Sequence, residues 1–533
     1  MTAMRCAQLL RAARGAPVLF VALLGCGLLG CGKSSSDNSS SMMPAPPSSP
    51  ETGPSRGQLV TAPPAKAGSY TTSQILTQLG VDTLGKELLS LSYNPACSID
   101  VYRIEYHTVG GMGEATTATG ALMVPTGTDA NCTGPRPVLL YAHGTTADKG
   151  YNIANPMATD NSEGLILAAV FAAQGYIVVA PNYAGYDTSP LPYHPYLNAD
   201  QQSKDMIDAL AAATSALPVA TATSVVSNGK LFITGYSQGG YVAMATHRAM
   251  QAAGTKVTAS APMSGPYALS AFGDAIFMGQ VPGRAPVNVT LIIESYQHSY
   301  GNVYSAATDV FEPAYASGIE SILPTTMGAS ALYSSGKLPQ DQLFSSTPPS
   351  PAYASMTPAT TPANLAPAFA LGFGTNNLIT NSFRLRYLQD AQASPDGGFP
   401  TTTNDLPPAM PGIGFRQDLK TNDLRNWSPS SPMLVCAGNS DPTVLYLNTQ
   451  LMQGYWATNP PPATVTFLDV DSSGGGTYSD LQTEFAAAKA AVAASSVVGG
   501  ATDGGLAAVL EAYHAGLVPP FCLTAAKRFF DTQ

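Results

Sequence analysis

A serine between glycines is the first candidate for chemistry in this chain. The stretch Gly235–Gly240, Gly-Tyr-Ser-Gln-Gly-Gly, follows the apolar run 230–234 and precedes a helical pattern over 241–252. A strand, a tight turn and a helix in this order are typical of the Gly-x-Ser-x-Gly nucleophile elbow, which lifts the serine hydroxyl above the strand end. The pattern recurs at Gly53–Gly57, but in a Pro/Ser-rich stretch with no strand before it. The sequence therefore predicts Ser237 as a catalytic nucleophile.

The base for this serine is found by elimination among six histidines. A histidine must take the proton of the hydroxyl, and in the chain order that accompanies this elbow the acid and then the histidine follow the serine. Only His514 lies far enough toward the C-terminus, in a predicted loop before a last helix at 523–530. His514 is therefore the predicted base. The others are expected to be packing or surface residues: His107, His143, His194, His247 and His298.

The acid that orients the base should follow a strand between the serine and the histidine. The apolar run Pro432–Gly438 is typical of such a strand, and Asp441 follows it in a turn. An aspartate in this place could also cap the helix predicted for 443–456. Asp471, at the end of the next predicted strand, is the alternative acid, although it comes late in the chain for this topology.

Attack on a carbonyl creates an oxyanion, which backbone N–H groups can stabilise. One predicted donor is the amide of Gln238, the residue after the nucleophile. The second is predicted at Thr145, in the turn after the strand Pro137–Ala142, with Gly144 as the alternative. His143, at the start of that turn, is interpreted as a structural residue.

Four short motifs stand out along the chain. They are Tyr-Ala-His-Gly-Thr at 141–145, Ala-Pro-Asn-Tyr-Ala-Gly at 180–185, Gly-Tyr-Ser-Gln-Gly-Gly at 235–240 and Ala-Pro-Met-Ser-Gly-Pro-Tyr at 261–267. Together they resemble the fungal and bacterial secretory lipases, the lipase A type of α/β-hydrolase, over roughly residues 60–533. The resemblance implies a carboxylester hydrolase with Ser237, Asp441 and His514 as its triad, and a mostly helical cap between the elbow and the acid.

The predicted fold class is α/β, the α/β-hydrolase fold, with a mostly parallel sheet, helices on both faces and a mostly helical cap insertion. Two early segments, 100–109 and 116–124, alternate apolar and polar residues and predict an antiparallel hairpin at the sheet edge. The other predicted strands are 138–142, 176–180, 231–234, 257–261, 433–437 and 464–470, alternating with helices at 163–174, 200–217, 241–252 and 443–456.

The predicted domain organisation is discontinuous, because the distance from the nucleophile to the acid is too long for one βαβ step. The predicted parts are a lipoprotein signal peptide (1–30), a disordered Ser/Pro-rich tether (31–58), the hydrolase core in two pieces (59–267 and 431–533) and a cap or lid insertion (268–430).

The predicted cap contains a helical pattern over 302–322 and an apolar patch. We expect the patch, formed by Phe369, Leu371 and Phe373, to line the site for the acyl chain. An insertion that packs elsewhere on the molecule is the alternative.

The N-terminus has the features of an export signal. Three arginines and no acidic residue accompany the apolar run Pro17–Leu24, which is too short to span a membrane. Leu-Leu-Gly-Cys then occurs twice, ending at Cys26 and at Cys31, which resembles a bacterial lipoprotein signal. We predict lipidation of Cys31 and a membrane-anchored lipoprotein at the outer membrane or surface of a bacterial cell. Cys26 and a plain secretory signal are the alternatives.

Four cysteines remain beyond the leader: Cys97, Cys132, Cys436 and Cys522. An even number in an exported chain predicts two disulfides, for which three pairings exist. Cys97 and Cys132 flank the predicted hairpin, which favours a bond between them and a second bond between Cys436 and Cys522. Buried free thiols are the alternative.

Charge and motifs exclude some classes of function. A formal net charge of −10 does not suit a nucleic-acid partner, which requires a basic face. No phosphate-binding loop or dinucleotide fingerprint follows a predicted strand, and no Cys/His spacing is typical of zinc, so we predict no cofactor and no metal. The expected substrate is an ester or lipid. A serine peptidase on the same fold and a non-catalytic surface lipoprotein are the alternatives.

Overall fold

The computed structural model of the protein describes residues 54–91, 93–159, 161–222, 224–402 and 406–533. The predicted signal peptide, Cys26, Cys31 and most of the predicted tether lie outside these residues. Arg56 forms an ion pair with Asp208 at 2.9 Å, and the Gly57 amide donates to the carbonyl of His107 at 2.8 Å. The tether predicted for 31–58 therefore extends too far, because its last residues are bonded to the folded core.

A nine-stranded sheet forms the centre of the described part, in the order β1-β2-β3-β5-β4-β6-β7-β10-β11. Across the sheet in this order, the three pairs that link β1, β2, β3 and β5 are antiparallel. The five pairs that link β5, β4, β6, β7, β10 and β11 are parallel. The strands are β1 (Ala65–Tyr70), β2 (Ser98–Val109), β3 (Ala115–Thr126), β4 (Gly134–Ala142), β5 (Ile177–Pro181), β6 (Val225–Tyr236), β7 (Ala259–Met263), β10 (Met433–Ala437) and β11 (Val465–Asp469), with a separate short pair, β8 (Phe344–Ser345) and β9 (Phe373–Gly374).

Sixteen α-helices occur in the described residues, and short 3₁₀ turns connect some of them. They are α1 (Thr72–Val81), α2 (Thr83–Ser90), α3 (Ser162–Val170), α4 (Ala199–Ala220), α5 (Gln238–Ala252), α6 (Leu269–Phe277), α7 (Ala285–Tyr300), α8 (Pro313–Ala316), α9 (Ala329–Ser334), α10 (Ala366–Leu371), α11 (Asn381–Ala393), α12 (Gly414–Thr421), α13 (Leu447–Thr458), α14 (Ser479–Val498), α15 (Leu506–Ala512) and α16 (Val518–Asp531).

Helices bury both faces of the sheet. Ile177 and Val178 are neighbours on β5 but belong to different hydrophobic clusters, because successive side chains of a strand point to opposite faces. One cluster includes Val242 of α5, and the other includes Phe521 of α16. The run Leu506–Asp531 is long and apolar enough to cross a membrane, yet 50% of its most apolar window is buried. The sheet with helices on both faces confirms the predicted α/β class.

The predicted hairpin is present as β2 and β3, which pair from Ser98 opposite Thr126 to Val109 opposite Ala115. It does not form the edge of the sheet, because β1 pairs outside β2. Strand β1 was not predicted. Its sequence, Ala-Lys-Ala-Gly-Ser-Tyr, is mostly exposed and lacks the apolar alternation that indicates a half-buried strand.

The segment 268–430 carries the seven helices α6–α12. The single helix suggested by the pattern over 302–322 is wrong, because Pro313 starts a new short helix and Gly318 adopts a φ of 78°. Helix α7, which was not predicted, ends at Tyr300, and Gly301 follows it as a C-terminal cap with a φ of 69°.

Covalent and ionic links fix this arrangement. Disulfides join Cys97 to Cys132 and Cys436 to Cys522, the pairing favoured from the sequence. The second disulfide ties β10 to α16. In the segment 268–430, the buried Arg416 of α12 contacts Asp274 of α6 and Asp390 of α11, each at 2.7 Å. Three helices are thus held together by one guanidinium group.

Candidate active site

Ser237 lies on the sharp turn between β6 and α5. Its φ of 60° is in the left-handed region, which is strained for a residue with a side chain. The Ser237 amide donates to the carbonyl of Met263 at 3.0 Å, which anchors the turn to β7. A Cβ atom on Gly239 would collide with the carbonyl oxygen of Ala142, so glycine is required where the turn meets β4. Strain and glycines together give this segment the geometry of a nucleophile elbow.

His514 bridges the serine and a carboxylate. Its Nε2 lies 2.8 Å from Ser237 Oγ, and its Nδ1 lies 2.6 Å from Asp441 Oδ2. Because a carboxylate only accepts hydrogen bonds, Nδ1 carries the proton, which leaves Nε2 free to accept from the serine hydroxyl. The three side chains therefore form one hydrogen-bonded line across residues far apart in the chain.

The local structure around His514 differs from the prediction. The residue is not in a loop but in a π-helical turn, Tyr513–Leu517, between α15 and α16. A π-turn widens the helix locally and is frequent at functional sites. The predicted helix 523–530 begins earlier, at Val518, because prolines 519 and 520 occupy its first turn, where a missing N–H costs nothing.

Asp441 is surrounded by donors. It is 1% exposed, and its Oδ1 accepts from the amides of Thr443 and Val444 at 2.8 and 2.9 Å, while Oδ2 faces His514. The amide contacts resemble those of a helix cap, yet α13 begins only at Leu447. One carboxylate oxygen of Asp441 thus accepts from backbone amides, as in a helix cap, while the other contacts His514.

Asp471, the alternative acid, does not contact the His514 ring. Its carboxylate accepts from the hydroxyl of Tyr513 at 2.7 Å and forms an ion pair with Lys489. Tyr513 in turn accepts from the Ser440 amide at 3.1 Å. Asp471 therefore supports Tyr513 and, through it, Ser440, the chain neighbours of His514 and Asp441.

Two backbone amides near Ser237 are without partners in the described part of the chain: those of Gln238 and Thr145. Both residues line the same cavity as Ser237. The Gly144 amide, by contrast, donates to the carboxylate of Glu163 at 3.0 Å. Of the two amides considered in this turn, that of Thr145 is thus the available one.

Side chains next to these amides are also fixed. Thr145 Oγ1 lies 2.8 Å from the hydroxyl of Tyr196. Gln238 Nε2 lies 2.7 Å from His194 Nε2, and His194 Nδ1 lies 2.9 Å from the carbonyl of Ala184. His194 must therefore donate from Nδ1 and accept at Nε2, and burial lowers its pKa to about 3, so it stays neutral.

His194, Tyr196 and Glu163 were missed as parts of this site. Each lies outside any recognisable motif, and only the folded chain brings them to the two turns. His143 is buried as expected, stacked on Tyr183 at 4.1 Å between ring centroids. Burial lowers the pKa of His143 to about 4, which agrees with a structural role.

An apolar cavity opens beside Ser237. Residues from α6, α7 and α12 form most of it, and its lining contains no charged side chain. The apolar residues that line it are Leu197, Pro266, Leu269, Phe272, Ile276, Phe277, Pro282, Ala285, Val289, Ile292, Phe415, Leu419 and Val444.

The patch expected to line the acyl site lies elsewhere. Phe369 is buried in a separate cluster with Leu365 and Leu445, Leu371 is 60% exposed, and Phe373 packs beside the guanidinium of Arg384. None of the three patch residues lines the cavity, so that prediction is wrong. Apolar side chains in a sequence do not reveal which of several clusters they join.

The described residues contain no group of three or more His, Cys, Asp or Glu side chains that could bind a metal ion. The arrangement at Ser237 is suited to acyl transfer through a serine, because an apolar cavity lies beside this residue and the residues with the two unpartnered amides line the same cavity.

Comparison with known proteins shows which class of enzymes this chain is similar to. The solved esterase LipA of Xanthomonas oryzae, described as rice cell wall degrading, is 25% identical, with a TM-score of 0.60 over 86% of this chain and 98% of its own. The chain has the α/β-hydrolase fold. Residues 166–264, from α3 to the end of β7, match the prolyl oligopeptidase family. Together these likenesses make the protein a hydrolase of the α/β-hydrolase type.

A second solved structure supports the fold alone. A putative hydrolase from Legionella pneumophila is 18% identical, with a TM-score of 0.59 over 89% of this chain and 98% of its own. The structure of Candida antarctica lipase A is a more distant match, 11% identical with a TM-score of 0.45 over 78% of this chain and 77% of its own. No protein of curated function matches the sequence.

Proposed function

We propose that the protein is an exported serine carboxylester hydrolase, a lipase or esterase of the lipase A type. Ser237 is the proposed nucleophile, His514 the base and Asp441 the acid, with the amides of Gln238 and Thr145 as the oxyanion hole. The observation that carries the proposal is the line of two hydrogen bonds, 2.6 and 2.8 Å long, from Asp441 through His514 to Ser237.

In the proposed reaction His514 takes the hydroxyl proton as Ser237 Oγ bonds to the ester carbonyl carbon. The carbonyl electrons move onto the oxygen, which the two amides stabilise. The intermediate collapses, and the departing alcohol receives the proton from His514. Water then attacks the acyl-enzyme with the same base, which releases the carboxylic acid and restores the serine.

Two observations support an ester of an apolar acid as the substrate. The cavity beside Ser237 is lined by aliphatic and aromatic side chains, which favour an acyl chain over a charged group. The similarity to the Xanthomonas esterase extends over most of both chains. In this proposal the segment 268–430 is a cap that supplies the acyl site through α6, α7 and α12, in place of the patch around Phe369.

A serine peptidase is the second candidate, favoured by the match of residues 166–264 to the prolyl oligopeptidase family. That match covers the elbow and its strands, which peptidases and esterases of this fold share. Recognition of a free peptide amine would require carboxylates at the site, and the cavity lining contains none. The ester therefore remains the first choice.

We also propose export through a lipoprotein signal in residues 1–30 and anchoring at Cys31. The two disulfides of the folded part agree with an oxidising compartment. Replacing Cys26 and Cys31 by alanine should release the protein from the membrane fraction without loss of specific activity.

The test of the proposed function compares p-nitrophenyl esters of increasing chain length with a peptide p-nitroanilide, using the wild type and Ser237→Ala. We expect ester hydrolysis that disappears in the variant, and no cleavage of the anilide. Anilide cleavage at a comparable kcat/KM would establish a peptidase. Unchanged ester hydrolysis in Ser237→Ala would show that the reaction occurs elsewhere.

A further inference from the structure

A carboxylate lies directly against the turn that carries the proposed oxyanion donor Thr145. Glu163 is in the first turn of α3, and its Oε1 accepts from the Tyr141 hydroxyl at 2.6 Å and from the Gly144 amide at 3.0 Å. Its Oε2 lies 3.2 Å from the same amide. The proposed reaction does not use this side chain, although it contacts the residue next to Thr145.

The position of Glu163 is costly for an acid. Burial raises the pKa of its carboxyl to about 7, while the hydrogen bonds from Tyr141 and Gly144 lower it. The start of α3 partly offsets the cost, because amides at a helix N-terminus favour a negative charge. An apolar side chain would avoid this cost but would leave the Tyr141 hydroxyl and the Gly144 amide without an acceptor. The carboxyl is therefore needed here for the donors that it accepts from.

The other contacts of the turn involve carbonyl oxygens and the Thr145 hydroxyl, which lies 2.8 Å from the Tyr196 hydroxyl, whereas Glu163 accepts from an amide. The Tyr183 hydroxyl donates to the carbonyl of His143 at 3.0 Å, and the Tyr186 hydroxyl donates to the carbonyl of Thr146 at 2.6 Å. In the described part of the chain, Glu163 is the only partner of the Gly144 amide.

An amide turned toward Glu163 cannot face Ser237. The Thr145 amide belongs to the next peptide group, whose Gly144 carbonyl lies 2.7 Å from His143 Nδ1. Because a peptide group is planar, contacts on both sides of the Gly144 Cα, to Glu163 and to His143, limit the direction of the Thr145 amide. With the Gly144 amide held by Glu163, the Thr145 amide is left without a partner, and Thr145 lines the cavity with Ser237 and Gln238.

We propose that Glu163 is a positioning residue for the oxyanion hole. It holds the Gly144 amide and so fixes the turn at the peptide group that precedes Gly144. Together with the contact of His143 to the Gly144 carbonyl, this keeps the Thr145 amide directed at the substrate oxygen. The role depends on where its oxygen atoms lie and not on its charge. This inference rests on the proposed ester hydrolysis at Ser237, and it adds a residue that does not touch the substrate.

Two matched variants separate position from charge. Glu163→Gln keeps the length of the side chain and one acceptor oxygen but removes the charge, whereas Glu163→Asp keeps the charge and withdraws the oxygens by one methylene. We expect Glu163→Gln to stay within about 3-fold of the wild-type kcat, and Glu163→Asp to lose about 10- to 100-fold in kcat with little change in KM, a smaller loss than removal of an oxyanion donor causes. Glu163→Met, of similar volume, should lose at least as much as Glu163→Asp.

The measurements are kcat and KM on a p-nitrophenyl ester, with thermal unfolding to confirm that each variant folds. A wild-type kcat in folded Glu163→Asp would overturn the inference, and so would an equal loss in Glu163→Gln and Glu163→Asp. A loss confined to KM would also contradict it. Ser237→Ala, measured alongside, separates the two proposals: if it retains ester hydrolysis, the proposed function fails, whereas an inactive Ser237→Ala beside a fully active Glu163→Asp refutes only the role of Glu163.

Discussion

The hydroxyl of Tyr236 donates a 2.6 Å hydrogen bond to the backbone carbonyl of His514. Tyr236 immediately precedes Ser237 on the chain, and its hydroxyl also lies 3.5 Å from His514 Nδ1. The strand that ends at the proposed nucleophile therefore holds the π-turn that carries the proposed base. This contact fixes the distance between serine and histidine independently of the hydrogen bond between their side chains.

Tyr236→Phe should consequently lower kcat by about 3- to 10-fold, because a small displacement of the base impairs proton transfer. It should also lower the free energy of unfolding by about 1–3 kcal/mol, since a buried carbonyl loses its donor. Tyr102→Phe is the matched control, because the Tyr102 hydroxyl donates to the Ala220 carbonyl at 2.6 Å, away from the site. Equal kcat values in the two variants would show that Tyr236 acts on stability alone.

The two candidate acids make different contacts and should respond differently to substitution. Ser237→Ala and His514→Ala should each lower kcat by roughly 10⁴- to 10⁶-fold, and Asp441→Asn by roughly 10-fold less than these. Asp471→Asn should have a far smaller effect, because its carboxylate contacts Tyr513 and not the base. Steady-state kinetics on one ester decides this, and a silent Asp441→Asn beside an impaired Asp471→Asn would reverse the assignment.

The sequence predicts the parts of this site that local patterns encode. A strand, glycines and a helix mark the turn of Ser237, and alternating segments predict the sheet. The sequence favours Asp441 over Asp471 by its place in the chain, but both follow parallel strands, and only the tertiary hydrogen bonds show which carboxylate contacts His514. It also fails to predict the π-turn of His514, since that geometry depends on how α15 and α16 pack.

The cavity was predicted least well. Its lining comes from α6, α7 and α12, whose apolar side chains do not differ in sequence from those that fill the core. Glu163 could not be predicted for the same reason, because an acidic residue in the first turn of a helix is common and indicates only a favourable interaction with the helix dipole. A residue that acts by holding a neighbouring loop has no sequence motif of its own from which this role could be predicted.

The cavity lining predicts how acyl preference should change. Val289→Phe should fill the space beside Ser237 and reduce kcat/KM for long-chain esters relative to acetate, by roughly 50-fold if three methylenes lose their burial. Leu371→Ala is the control, because this exposed residue lies outside the lining. The profile of kcat/KM against chain length is the measurement. An unchanged profile in Val289→Phe would mean that the acyl chain binds elsewhere.

Stability should fall as the pH rises toward neutrality. Burial raises the pKa of the Asp418 carboxyl to about 7, since its Oδ1 accepts only from Asn302 and its Oδ2 has no partner among the described residues. The native state then keeps a proton that the unfolded chain releases above about pH 4, so the free energy of unfolding decreases between about pH 4 and pH 7. Burial acts in the same direction on Asp205 and Glu294, each with a pKa raised to about 7.

Urea denaturation of the wild type and Asp418→Asn at pH 5 and pH 8 tests this dependence. The variant cannot ionise at this position, so it should gain stability relative to the wild type at pH 8 and change little at pH 5. A gain of the same size at both pH values would show that the effect of Asp418→Asn comes from packing and not from the buried charge.

The two disulfides should differ in their effect on activity more than in their effect on stability. They close segments of 35 and 86 residues, for which chain entropy predicts similar contributions of about 4 and about 5 kcal/mol. Only the Cys436–Cys522 bond joins β10, which leads to Asp441, to α16, which follows His514. Replacing Cys436 and Cys522 by alanine should therefore lower kcat as well as the free energy of unfolding, because the proposed acid and base lose a common anchor.

The Cys97 and Cys132 double variant is the control. It should lose stability but keep kcat, since its bond lies at the ends of the β2–β3 hairpin. Equal losses of kcat in the two variants, measured well below their unfolding temperatures, would refute a specific link between the second disulfide and the proposed triad.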